Sequence, residues 1–477
     1  MDIAEPAKNR EKAIAMKVII YGWCWLKELS ERCKKLLVEF NNKVKKVGTD
    51  DPRRVYHSFK VGLALTLVSL LYYNKPLYGG FGSSTMWAVL TVVVVFEFSV
   101  GATLSKGINR GLATFAAGSL GLGVHFLVSL TGDIGEPVLL CFSVFLLAAA
   151  STFTRFFPGV KARYDYGMVI FILTFSLVAV SAYKTDEILT IAGERLITIL
   201  IGCVTCAVIS IFLFPVWAGK DLHKLMFLNI EQLAVFLDGF GGEYFGPEDN
   251  KENENAITVK KSFLDGYKKI LTSKNEEEAL TNFARWEPPH GSFQFNYPWK
   301  HYLAIGKVTR QCAYRVEELH NCITSKINAQ SEFVKLIQAS CMELSKESGT
   351  TLQELSAAVK QMTYPKGVPN HIKNLKRTAS NLKTVLKTVT LKNANVLEDV
   401  MSGAMVASLL VDIVGCIEDI AESITELAHL AKFKGADPAF RLEKLSQQSE
   451  NIKVQCESSL QMFDIGTMHS HPTNNSD

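Results

Sequence analysis

Arg110 and Arg195 stand inside stretches that otherwise read as hydrocarbon, GINRGLATFAAGS and IAGERLITILIG. A charge at the centre of a bilayer costs at least about 2.5–3.5 kcal/mol on insertion scales, so such a residue faces a cavity or a partner. Other cations fall at two levels. Lys60, Lys106, Arg155, Lys161 and Arg163 join Arg110 near one end of the apolar stretches, and Lys75 and Lys184 join Arg195 near the other. Rings of Arg and Lys are how anion pores attract and coordinate ions, so the chemistry they indicate is anion passage. A purely topological role, with positives holding loops on the inner side, accounts for Arg53, Arg54, Lys161 and Lys220. It accounts less well for Arg110 and Arg195. Glu97, in VVVVFEFSVG, is expected to pair with a buried Lys or Arg, with gating or proton coupling as the minority alternative.

A second feature is Tyr78-Gly79-Gly80-Phe81-Gly82-Ser83-Ser84-Thr85. Three glycines permit an irregular backbone, which membrane depth tolerates only where it lines water or protein. A hydroxyl of Ser83, Ser84 or Thr85 would cap the next helix, whose positive end favours an anion. Phe81 and Trp87 are then the candidates for a gate or constriction, against the plainer reading of an external turn and an interfacial anchor.

These residues need helices to position them. A spanning helix takes roughly 20 apolar residues. Six candidates run over about 58–73, 84–104, 108–130, 137–156, 166–183 and 188–217. The linking loops alternate in charge. Arg53, Arg54 and Lys60, then Lys106 and Arg110, then Arg155, Lys161 and Arg163, then Lys220 and Lys224 all fall on one side, which places both termini in the cytoplasm. Residues 1–55 form an N-terminal segment whose Lys17–Phe40 stretch is amphipathic, suited either to the inner membrane surface or to the soluble part of the chain. It lacks the small-residue cleavage site of a secretory signal. Residues 56–217 are the transmembrane domain, 218–464 a helical cytoplasmic domain, and 465–477 a disordered tail. The fold class is all-α. Helices are expected near 221–239, 257–272, 275–284, 299–323, 328–346, 350–362, 371–390, 394–431 and 438–463.

The 477 residues carry 51 Lys and Arg against 47 Asp and Glu, too balanced for a nucleic-acid binder. Ten cysteines lie within spans or on the cytoplasmic side, so no disulfide framework is expected. Cys203-x-x-Cys206 sits in an apolar helix, a poor setting for redox or zinc chemistry. No P-loop, GxSxG or HExxH occurs, and no enzyme activity, metal or cofactor is expected.

Three stretches resemble the plant aluminium-activated malate transporter family: MWAVLTVVVVFEFSVGATLSKGINRG at 86–111, RFFPGVKARYDYGM at 155–168 and ARWEPPHGSFQFNYPW at 284–299. The likeness runs along nearly the whole chain and leans to the branch of guard-cell, quick-activating anion channels. It implies a homodimeric, voltage-dependent channel passing malate, chloride, nitrate and sulfate, favoured by malate itself and regulated through its cytoplasmic domain, with a protein kinase as a partner beside the lipid bilayer. It carries no expectation of an aluminium response. It places pore charges on Arg110 and Arg163, and the plasma membrane ahead of the vacuolar one. Ser292 stands where many relatives have a basic residue, which puts that residue's role in doubt here. In the Trp286-Glu287-Pro288 motif, the prolines stop a helix and Trp286 offers an apolar anchor, so the motif is expected to lock a junction that couples the cytoplasmic helices to the pore. The competing functions are an alternating-access organic-anion exporter and a non-transporting membrane scaffold or receptor.

Overall fold

The computed structural model describes residues 5–73, 86–132, 135–182, 188–245, 264–324, 332–390 and 397–437. The described residues form helices throughout, with two isolated β-bridges and no longer strand. They divide into two compact units, Met1–Val216 and Trp217–Asp477.

In the first unit, α1 (Glu5–Asp50) leads into α2 (Pro52–Tyr73). Asp51 separates them: its carboxylate accepts from the backbone N–H of Arg53 at 3.1 Å, and Pro52 takes the first helical position. There follow α3 (Met86–Val95), α4 (Val100–Ser129), α5 (Gly135–Thr154), α6 (Pro158–Ala182) and α7 (Ile188–Phe212). Four segments are long and apolar enough to cross a membrane: Val100–Ser129, Gly135–Thr154, Pro158–Val180 and Ala192–Phe212. Their outward Leu, Phe and Val side chains are exposed, as lipid-facing residues are (Phe115, Phe126, Phe142, Phe145 and Val204 among them). The chain is an integral membrane protein.

The second span differs from its expected course. Its helix stops at Val95, and a new one starts at Val100 and runs unbroken to Ser129. The connection between these two helices is therefore Phe96–Ser99. Lys106, expected between the spans, lies on α4 with Arg110. Ser99 caps α4 by accepting from the Ala102 N–H at 3.3 Å. The Thr103 hydroxyl closes the break, accepting from the Glu97 N–H at 3.0 Å and donating to the Glu97 carbonyl at 3.1 Å. Phe96, Glu97 and Phe98 read as part of a continuous apolar run, and only these cross-contacts show where it is interrupted.

Small residues bring the spans together, as membrane helices require when no hydrophobic force separates them from lipid. A Cβ on Gly202 of α7 would sit 2.9 Å from the Ala88 carbonyl and 2.9 Å from Thr91 on α3. Gly121 of α4 meets Val178 of α6 in the same way, at 2.8 Å.

The second unit is a bundle of α8 (Ala218–Phe245), α9 (Lys268–Leu271), α10 (Lys274–Ala284), α11 (Trp299–Thr324), α12 (Glu332–Gln361), α13 (Val368–Thr390) and α14 (Leu397–Leu430). One apolar core unites Leu222, Met226 and Leu237 of α8 with Ile305 and Val316 of α11, Leu344 and Leu355 of α12, Leu375 and Leu382 of α13 and Ile413 to Leu427 of α14. The expected helices 328–346 and 350–362 are one. Gly349 is no break: a Cβ there would lie 3.0 Å from the Ala234 carbonyl and 3.0 Å from the Asp238 nitrogen, so glycine lets α12 lie directly on α8. Ser345 and Ser356 fasten the same contact by donating to the Leu237 and Phe227 carbonyls at 2.5 and 2.9 Å. Glu277, wholly buried, is neutralised by Arg310 and accepts from Ser273 at 2.7 Å. The expected helix 438–463, the start of 257–272 and the tail 465–477 lie outside the described residues.

Two outcomes follow from this packing. Gly202→Val should force α3 and α7 apart and cost about 1–3 kcal/mol, read as a lowered melting temperature of the detergent-solubilised chain. In the second unit, burial pulls His223, which bonds Tyr302 Oη at 2.8 Å, from 6.5 down to about 4. A histidine whose folded value is depressed contributes stability above the unfolded value, and loses it as pH falls from about 6.5 towards 4. The melting temperature should drop across that window, and the drop should be shallower in His223→Gln.

Candidate anion site

Lys60, Arg110 and Arg195 are the cations that the first unit withdraws from solvent. Lys60 is wholly buried on α2, Arg110 is 2% exposed on α4, and Arg195 is half-buried on α7. Among the described residues none of the three pairs with a carboxylate. Lys60 donates only to the Phe214 carbonyl, at 3.2 Å. Arg110 donates to the Tyr166 hydroxyl of α6 at 3.1 Å, and its Nε, buried, has no partner. Arg195 lies with its guanidinium carbon 4.0 Å from the centre of the Trp87 ring, and its Nε is likewise buried and unpartnered. The Arg110 and Arg195 charges are within electrostatic reach of each other. Arg110 is ten residues into α4, about 15 Å along a helix that is 30 residues long.

Two like charges held together at that depth are costly unless something negative joins them. The orphaned Nε donors and the hydroxyl of Thr114, buried without a partner one turn beyond Arg110, offer an oxyanion several hydrogen bonds. A guanidinium also matches a carboxylate in geometry. The arrangement can hold an anion weakly at several points, as conduction requires.

The remaining predicted cations are differently placed. Lys106, one turn before Arg110, forms an ion pair with Glu97 and lies 5.7 Å from the Tyr166 ring centre. Glu97 thus has the basic partner expected of it, at the break between α3 and α4. Arg155 is paired with Asp165, Nε to Oδ1 at 2.7 Å, at the turn into α6. Arg163 is exposed; its carbonyl, not its guanidinium, faces the cluster, accepting from Asn109 of α4 at 2.9 Å. The structure therefore sets Arg195 on Trp87 and Arg110 on Tyr166, one turn from Lys106, with the two arginines in electrostatic reach, and leaves Arg155 and the Arg163 side chain apart. Lys75, Phe81 and Lys184 lie outside the described residues. Cys203 donates to the Gly107 carbonyl, Sγ to O 3.6 Å, and no metal-binding cluster occurs among the described residues.

In the second unit the Trp286-Glu287-Pro288 motif follows α10. The Glu287 side chain, 1% exposed, accepts from the backbone N–H groups of Ala218 at 2.5 Å and Gly219 at 3.0 Å. These are orphan donors of the first turn of α8, and a carboxylate there meets the positive end of the helix dipole. A Cβ on Gly219 would fall 2.5 Å from Trp299, so the ring can lie over the cap only because position 219 is glycine. Trp299 is buried, whereas Trp286 is half-buried. His290 donates from Nδ1 to the Pro288 carbonyl at 2.9 Å and stacks on Trp217 at 3.8 Å.

A family model, aluminium activated malate transporter, matches residues 45–398. The chain belongs to this family. It is 51% identical to aluminum-activated malate transporter 2 of Arabidopsis thaliana over 391 residues, 82% of this chain and 77% of that one. It is 44% identical to aluminum-activated malate transporter 1 of Triticum aestivum over 407 residues, 83% of this chain and 87% of that one.

Four residues of this family member matter to the site and were not singled out by type. Tyr166 and Asn109 tie α6 to α4 around Arg110, Thr114 extends the polar stripe, and His57 of α2 lies against Phe96 and Phe98 at the helix break. Thr114 carried a usable signal, the i, i+4, i+8 spacing Lys106, Arg110, Thr114 on one helical face. Glu287→Ala would leave two buried N–H groups unpaired. It should cost about 1–3 kcal/mol, measured by thermal unfolding of the full chain, with Glu287→Gln losing less.

Proposed function

We propose that the protein is an anion channel passing malate and inorganic anions such as chloride, nitrate and sulfate, with Arg110 and Arg195 as its central anion site. The observation that carries this reading is two guanidiniums without a carboxylate, Arg110 buried and Arg195 half-buried, each with a buried, unpartnered Nε. Relatives named as malate transporters support malate, a dicarboxylate, as a ligand of that site. Lys106, partly offset by Glu97, forms the next step of the path on α4. Charge moving through the membrane field is worth about 2.3 kcal/mol per 100 mV, so a few such cations shifting with the gate would make opening voltage-dependent. The basic residues of the inner connections, Arg53, Arg54, Arg155, Lys161, Arg163 and Lys220, support cytoplasmic termini. The second unit then regulates the pore from the cytoplasm, as a target for a kinase, and the protein works as a homodimer in the plasma membrane.

The break at Phe96–Ser99 favours one rival. Discontinuous helices are a feature of alternating-access carriers, and an acid at the break is a candidate for coupling. Voltage clamp with malate or chloride as the main anion separates the two. A channel should give anion-selective currents whose reversal follows the anion gradient, and Arg110→Gln or Arg195→Gln should reduce them about tenfold or more, in line with the loss of a strong charge-assisted bond. Currents unchanged in both variants would remove the two arginines from the path. Labelled-malate flux without current, abolished in Glu97→Gln, would establish the carrier instead.

A further inference from the structure

We propose that α1 lies on the anionic surface of the membrane that the four apolar helices cross. Over residues 27–50 nearly every side chain of α1 is exposed, including residues that water does not favour: Leu36 is 65% and Phe40 66% exposed. They are not scattered. Leu29, Cys33, Leu36, Phe40, Val44 and Val47 recur at helical spacing and form one stripe, with Trp25, 64% exposed, extending it by a turn. A stripe this long needs a cover.

Charge decides what the cover is. Between 27 and 50 there are seven Lys and Arg (27, 32, 34, 35, 43, 45, 46) against four Asp and Glu (28, 31, 39, 50). Two of those acids are taken by exposed pairs on the helix itself, Glu28 with Arg32 at 2.9 Å and Glu31 with Lys34 at 3.0 Å. Arg32, Lys43 and Lys46 border the stripe on one side, among Glu39 and Asp50, while Lys27, Lys34 and Lys45 fall on the face opposite it. Basic residues flanking an apolar face, with tryptophan at its end, suit a helix in the headgroup region of anionic lipid.

A second copy of α1 fits less well. A paired coil keeps a strict seven-residue seam, which from Leu29, Cys33, Leu36 and Phe40 next falls on Lys43. The chain's stripe continues at Val44, the spacing of a straight helix on a flat surface. Helix α1 ends at Asp50 and Pro52 opens the next, so α1 is an element separate from α2.

The test uses the full-length chain in vesicles of phosphatidylcholine with or without phosphatidylserine. A fluorophore is placed on Leu36→Cys, with Cys33→Ser and Cys141→Ser removing exposed thiols, and brominated acyl chains serve as quenchers. Malate flux through the labelled protein reports an intact transmembrane unit, so a failure of transport bears on the previous proposal and not on this one. Docking predicts strong quenching with phosphatidylserine, cut by roughly half or more without it, and equally in the triple variant Arg32→Glu, Lys43→Glu, Lys46→Glu. Quenching absent in both lipids, or indifferent to phosphatidylserine and to the triple variant, overturns the proposal. So does disulfide formation between two Leu36→Cys chains in place of quenching, which would assign the stripe to a second copy.

Discussion

A guanidinium in a low-dielectric interior must be answered by something negative, and around Arg110 the protein supplies only the neutral Tyr166 hydroxyl. Much of the transmembrane unit follows from that shortfall. A carboxylate within reach would have neutralised the site, as Glu97 does for Lys106 and Asp165 for Arg155. Leaving Arg110 and Arg195 unanswered stores positive potential inside the unit, where the effective dielectric makes it strong. The protein meets the cost by dispersing it. Trp87 offers its ring face to Arg195, Tyr166 accepts from Arg110, and close glycine contacts hold α3, α4, α6 and α7 so that these partners stay in place.

The interruption between α3 and α4 is the second organising feature. It is held from three directions: by Thr103 within α4, by the Val216 carbonyl accepting from the Val100 N–H at 2.9 Å, and by aromatic contacts from His57. The segment leaving α7 is under strain at the same place. Phe214 has φ 41°, a conformation that bulky side chains rarely adopt, and it stacks on Tyr56 while its carbonyl receives Lys60. Strain of this kind persists only where the surroundings over-determine it. Break, strained exit and buried lysine thus form one connected region at the end of the unit from which the chain leaves.

The second unit begins where this region ends, and its first helix is built differently. The residue before its first turn is Trp217, whose side chain offers no oxygen to cap it. The cap arrives from Glu287, some 70 residues later, and Trp299 closes over it. The Trp-Glu-Pro motif therefore acts through its middle residue. Helix α10 has already ended at Ala284 before the prolines are reached, and the carboxylate completes α8.

Hydropathy and the cost of burying charge were enough to mark this chain as all-α and membrane-embedded, and to point to an anion as its cargo. Twenty-residue apolar runs have few other uses, and Arg within one has fewer. The same reasoning singled out Arg110, Arg195 and the partner-seeking Glu97. It misplaced the end of the second span because Phe96–Ser99 carries no Gly or Pro to mark a break, and only hydrogen bonds from Thr103 and Val216 reveal one. It split α12 at Gly349, since a glycine that ends a helix and one that admits a neighbouring helix are alike in sequence. Which basic residues are paired was also beyond it: Arg155 and Arg163 look equivalent on paper, yet one meets Asp165 and the other faces outward. Local composition determines where a charge lies along the chain. Whether that charge is neutralised depends on residues from other helices, and only the tertiary fold brings them within hydrogen-bonding distance.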